Sequence, residues 1–160
     1  MHIVGKNKEN DVNGKARRAG RLHLAATAAI MVLIFVHSAM PADMSSAESG
    51  ILVGILFRLF EGDSERTSFF VRKCAHFTEY LVLGGSTMLL FGEMRLTGLI
   101  AWAVGAAYAV TDEFHQLFVA GRSCEVRDMC IDAAGVLCGV MVVWLWRKRR
   151  EQTDTERKGF

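Results

Sequence analysis

Proline is almost absent from this chain: Pro41 is the single one in 160 residues. Only this position therefore ends a helix by removing a backbone donor. Cysteine is sparse and occurs as Cys74, Cys124, Cys130 and Cys138, never as a CxxC pair. That spacing excludes a zinc ribbon and offers no disulfide framework. Cys130 and Cys138 fall inside an apolar run, where cysteine acts as a small packing residue; only Cys124 falls in an expected loop. An excess of one charge is missing too. The formal net charge is +2, which excludes a uniformly basic nucleic-acid binder. Nothing beside the basic tails resembles a base-reading module, so no nucleic-acid partner is expected. Internal repeats, low-complexity segments and phosphate-binding or acyl-CoA motifs are absent as well.

What is present is apolar. Hydrophobic residues make up 51% of the chain, and charge gathers at its two ends. Lys6, Lys8, Lys15, Arg17, Arg18 and Arg21 stand at the start, and Arg147, Lys148, Arg149 and Arg150 near the finish. Basic ends that flank apolar runs read as membrane borders. Residues 1–20 are expected to form a mobile basic tail, residues 21–147 a membrane domain, and residues 148–160 a second charged tail. The first apolar run, 22–40, is long enough to span a bilayer. A cleaved signal peptide is its rival reading, but no small-x-small site directly follows the run. After Pro41 comes the polar loop "PADMSSAESG". Residues 51–60, "ILVGILFRLF", are apolar but too short to cross. They fit an interfacial or re-entrant helix, or a short helix packed on the bundle. Three further spans are expected near 69–91, 96–119 and 127–146. Trp144, Trp146 and the basic cluster after them suit an interfacial exit. The expected fold is all-α, a polytopic membrane protein of four transmembrane helices plus that short helix.

The positive-inside rule places both basic tails in the cytoplasm, and four spans put both ends on one side. The expected location is the cell membrane, multi-pass. Following the chain through this topology brings three separated polar groups to one outer end. Arg72, Lys73, His76 and Glu79 enter from the second span. Asp112, Glu113, His115 and Gln116 arrive on the third, with Arg122 just beyond. Asp128 and Asp132 open the fourth. Arg72, His76, Glu79 and Leu83 share a helical face, as do Asp128, Asp132, Gly135 and Gly139. The last two glycines form a GxxxG step, which lets a neighbouring backbone come close. The acids should therefore face the bundle, with Arg72, Lys73, Arg122 and Arg127 as candidate partners, because unpaired charge near hydrocarbon is costly. His37 reads more readily as surface-facing than as a member of this cluster.

The segments "RKCAHFTEYLVLG" and "YAVTDEFHQLFVAGRSCEVRDMCIDAAGVLCG" resemble the VanZ-like family of bacterial integral membrane proteins. The likeness covers about residues 22–146 and is strongest over 71–139. The family pattern falls on Arg72, Lys73, His76, Glu79, Tyr80 and Gly84; on Asp112, Glu113, His115, Gln116 and Arg122; and on Asp128, Asp132 and Gly135. Two departures are Ala120, where related sequences often carry proline, and His37-Ser38, where a serine-rich or Ser-Gln segment is common. The resemblance implies a small polytopic protein of the cell envelope. The family's namesake is linked to resistance to the glycopeptide teicoplanin. No reaction follows from the name.

Several roles fit the polar cluster. Its charges could serve only to fix helix register. Arg72, Lys73, Arg122 and Arg127 could hold an anionic lipid or a lipid-linked cell-wall precursor, because arginine bonds phosphate and carboxylate bidentately. Glu113, Gln116, Asp128 and Asp132 would line such a substrate-binding site. Catalysis is the next reading, a hydrolase or transferase acting on an outer-leaflet lipid. His76 or His115 would then be the base and Glu79 or Asp112 would fix its tautomer. Asp112-x-x-His115 and His76-x-x-Glu79 are also carboxylate–histidine pairs of the kind four-helix metal sites use, although two-residue spacings arise easily and no metal is assigned. Ion transport is disfavoured, since the inner half lacks matching groups. The sequence identifies no cofactor and fixes no oligomeric state.

Overall fold

The computed structural model describes residues 2–40, 64–92 and 96–158, and side chains over 14–40, 70–92 and 96–157. The described residues form four helices: α1 (His2–Ser38), α2 (Ser64–Leu90), α3 (Thr97–Gln116) and α4 (Val126–Lys158). No strand occurs among them, in agreement with the all-α expectation. The expected short helix at 51–60 lies outside the described residues. Two of the helices are long and apolar enough to cross a membrane, over Gly14–Ser38 and Val126–Arg157. The other two carry charge within the helix, Arg72, Lys73 and Glu79 in α2 and Asp112 and Glu113 in α3, which lowers their apolar average.

The outer limits of α1 and α4 differ from expectation. The backbone is helical from His2, where a mobile tail is expected up to residue 20. No proline precedes Pro41, so no residue type forces an earlier break. α4 likewise continues past Trp146 to Lys158. Its tail is rich in Arg, Lys, Glu and Gln, which are good helix formers. Lys148 Nζ lies 5.3 Å from the Trp144 ring centre and the Arg150 guanidinium 4.1 Å from that of Trp146, so the two tryptophans meet the basic cluster as cation–π partners.

The most extensive contact in the bundle joins α2 to α4, and glycines make it. A Cβ at Gly139 would overlap the Leu81 carbonyl, and one at Gly135 would sit 2.6 Å from the Phe77 oxygen. From the other side, a Cβ at Gly84 would strike the Val136 backbone. The predicted GxxxG step is therefore a real backbone-to-backbone approach. Val136, fully buried, also fills the notch left by Gly105 on α3. Around it pack Ile34, Tyr80, Leu83, Met88, Ala101, Ala109 and Val140.

Polar cross-links fix the helices lengthwise. Thr27 Oγ1 and Ser86 Oγ lie 2.7 Å apart, and the Tyr108 hydroxyl donates to the Met31 carbonyl at 2.6 Å. Trp102 Nε1 donates to the Ala133 carbonyl at 3.2 Å. At the far end Arg147 donates to the carbonyls of Gly92 at 2.6 Å and Met88 at 3.1 Å. It thereby satisfies acceptors that the end of α2 leaves open. Leu22, Leu24, Val32, Leu33 and Val36 remain exposed along α1, an uncovered apolar surface of the kind that contacts a membrane or a partner.

Gly139→Ala is expected to cost about 1–3 kcal/mol, the usual penalty for overpacking, and to lower the thermal midpoint in detergent by several degrees. Ala134→Ser, on the exposed side of α4, should leave the midpoint unchanged.

Candidate functional site

The carboxyl ends of α1 and α3 meet the amino-terminal parts of α2 and α4. At this end His76, Asp112, Glu113, Gln116, Asp128 and Asp132 are all buried. Chain direction explains the gathering: α1 and α3 run toward this end, while α2 and α4 start from it. The polar groups form two connected halves.

The first half faces α1. His37 Nδ1 lies 2.6 Å from Glu79 Oε1. The Ser38 hydroxyl donates to Asp112 Oδ2 at 2.7 Å. Gln116 Nε2 donates to the same Asp112 oxygen at 3.4 Å and to Glu113 Oε1 at 3.0 Å, which ties this half to the next. The His37 and His76 rings stack with centres 5.9 Å apart.

The second half is a cavity of about 160 Å³, whose wall includes Arg72, Lys73, His76, Glu113, Gln116, Arg122, Ser123, Glu125, Asp128 and Asp132. Lys73 pairs with Asp128. Arg127 bonds Glu125 at 2.7 Å and stands 3.8 Å from Asp128. Glu113 Oε2 accepts from the Glu125 backbone N–H at 3.2 Å. His76 Nδ1 is 3.9 Å from Asp132 Oδ1, too far for a hydrogen bond.

Arg122 reaches the site from the loop after α3. The Arg122 N–H donates to the Val119 carbonyl at 3.2 Å, and Gly121 takes φ 74°. A turn with a left-handed third residue suits glycine there and favours proline at the second position, where this chain has Ala120. The guanidinium donates to the carbonyls of Met40 at 3.0 Å and His37 at 3.5 Å, and to Gln116 Oε1 at 3.5 Å. All three acceptors are uncharged. Burial first, then the neighbouring Arg72, lower the Arg122 pKa, but a guanidinium stays protonated. Arg72 makes no hydrogen bond or ion pair among the described residues.

The structure thus gathers Arg72, Lys73, His76, Glu113, Gln116, Arg122, Asp128 and Asp132 around one cavity, with Glu79 and Asp112 beside it on the α1 side. His115 stands apart. Its ring packs on Phe35 with centres 4.3 Å apart, and its Nδ1 is buried without a partner. Two expectations are corrected. His37 does not face away; it takes the carboxylate of Glu79. Neither His76 nor His115 is hydrogen-bonded to Glu79 or Asp112; His37 meets Glu79 and Ser38 bonds Asp112. Of the expected cation partners, Lys73 and Arg127 reach acids, whereas Arg72 and Arg122 do not. Ser38 was not among the expected site residues, although its place just before Pro41, at the same end of the bundle, is a signal that points to it. Among the described residues no three His, Cys, Asp or Glu side chains are arranged to hold a metal ion. A larger apolar groove, about 790 Å³, lies between α1 and α2, with His37 and Glu79 on its polar rim.

Ser38→Ala is expected to destabilise the protein by about 1.5–3 kcal/mol, as loss of a hydrogen bond to a charged group does. Chemical unfolding in detergent measures it. Ser123→Ala, which removes an exposed bond to Glu125, should change stability by less than about 0.5 kcal/mol.

No curated protein and no solved structure shows a significant match to the chain. The family model described as VanZ/LLP1 matches residues 23–147, a stretch that includes nearly all of α1's apolar run, both halves of the polar site and the glycine contact. With that match over most of its length, the chain belongs to the VanZ/LLP1 family.

Proposed function

We propose that this VanZ/LLP1 protein spans the cell membrane four times with both termini in the cytoplasm. In this reading its polar cavity lies at the outer face and binds the anionic head group of an envelope lipid. The observation that carries the reading is the pair Arg72 and Arg122. Both line the cavity, and neither has a carboxylate partner among the described residues. Two guanidinium groups without a carboxylate contact, on a wall they share with Glu113, Glu125, Asp128 and Asp132, can receive an anion, and a phosphate offers the bidentate geometry that arginine prefers. The volume limits the guest. At about 160 Å³ the cavity is smaller than the roughly 300–1,000 Å³ of drug-sized sites. A phosphate head group suits it; of a lipid-linked cell-wall precursor only the phosphate end would enter, and a glycopeptide would not.

A second reading, acid–base catalysis on such a lipid, is favoured by one contact. The 2.6 Å bond between His37 and Glu79 would fix the imidazole tautomer as a general base requires. In this reading the base is His37 on α1 rather than His76 or His115. Retention of full turnover by purified His37→Ala, against any envelope lipid the protein hydrolyses, would remove it.

Two measurements test the main reading. Phosphatidylglycerol copurifying with the protein is expected to fall about tenfold or more in Arg72→Ala/Arg122→Ala, the scale of a lost charge-assisted contact; an unchanged lipid content would contradict the site. With Cys74, Cys130 and Cys138 replaced by serine, Cys124 should react in intact cells with a membrane-impermeant maleimide. Reaction only after permeabilisation would reverse the orientation.

A further inference from the structure

Charge around the cavity does not stop at the two arginines. Asp132 lines the same space and is 1% exposed. Its Oδ2 has no hydrogen-bond partner, and its Oδ1 faces only the distant His76 nitrogen at 3.9 Å. The other carboxylates of the wall are engaged: Asp128 by Lys73, Glu113 by Gln116 and the Glu125 backbone, Glu125 by Arg127. Two unpaired cations and one unpaired buried carboxylate therefore share one small cavity. A simple phosphate would answer the arginines and leave Asp132 opposed to like charge. Removing a carboxylate from water costs several kcal/mol unless a cation and donors replace the solvent.

We infer that the cavity selects a phospholipid head group bearing a primary amine beside its phosphate, the phosphate on Arg72 and Arg122 and the ammonium on Asp132. The inference rests on the lipid-binding reading above and gives its ligand a chemical class. An ammonium carries three donors, enough for Asp132 Oδ2 and a second oxygen of the wall. A phosphoethanolamine group supplies both charges on a two-carbon link. Its own charges balance, and each meets a group of opposite sign on the cavity wall.

The test is native mass spectrometry of the detergent-purified protein titrated with phosphatidylethanolamine, N-acetylated phosphatidylethanolamine and phosphatidylglycerol. N-acetylation removes the ammonium and keeps the phosphate. The wild-type protein should bind phosphatidylethanolamine about tenfold or more tightly than either other lipid, the fold-change of one charge-assisted hydrogen bond. Asp132→Asn should erase that preference, and Asp154→Asn, far along the exposed tail of α4, should keep it. If Asp132→Asn does not yield folded protein, the comparison of the two ethanolamine lipids decides alone. Equal binding of all three lipids, each weakened by Arg72→Ala/Arg122→Ala, would overturn the amine selectivity and leave the anion site standing. A preference that survives Asp132→Asn would overturn the assignment of Asp132. Binding that ignores the arginines altogether would overturn both readings.

Discussion

Everything at the polar end depends on how closely α2 and α4 approach. Gly84, Gly135 and Gly139 remove the side chains that would hold the two backbones apart. Asp132 stands about one turn before Gly135, and His76 about one turn before Tyr80. With the helices in backbone contact at that level, Lys73 meets Asp128 across the seam, and His76 is brought opposite Asp132. Small residues and charged residues are thus parts of one device, the first setting the distance at which the second can act.

A helix bundle gains little from burying charge. Paired ions roughly break even against apolar packing, while a lone buried ion is strongly unfavourable. The site mixes both conditions. Glu113 is held by amide and backbone donors and Asp112 Oδ2 by the Ser38 hydroxyl, so the burial of these oxygens is compensated. Asp132 Oδ2, Glu79 Oε2 and Asp112 Oδ1 are buried without a partner. These groups gather at one end, beside a core that packs Ile34, Leu83, Val136 and Val140 and that also holds the unpartnered hydroxyl of Tyr80.

Much of this was legible in the sequence, and the reasons are local. Apolar runs and their basic borders announce helices, and spacing of three or four residues places Arg72, His76 and Glu79 on one face. The GxxxG step identifies the buried side of α4. What escaped has a different physics. Pairing among charges depends on reach, and several acceptors compete for each donor, so the selection of Lys73 by Asp128 rather than Arg72 has no signature in the chain. Arg122 is spent on carbonyls because α1 ends beside it with acceptors open. The partnership of His37 with Glu79 spans 42 residues and rests on which face α1 turns inward, which a helix apolar on nearly every side does not declare. The helical start of α1 differs for the opposite reason: polar and charged composition points to a mobile tail over residues 1–20, while the backbone preference of Arg, Lys and Glu favours helix.

Arg147 gives the far end of the bundle a consequence of its own. Its guanidinium grips the closing carbonyls of α2 from α4, and the glycine seam meshes the same two helices nearer the site. A slide of one helix along the other would break the grip and drive Cβ atoms into backbone at once. The pair is therefore keyed axially at two levels and behaves as a stiff strut. The wall of the cavity that faces this pair is built by α3 and the loop after it, through Glu113, Gln116 and Arg122.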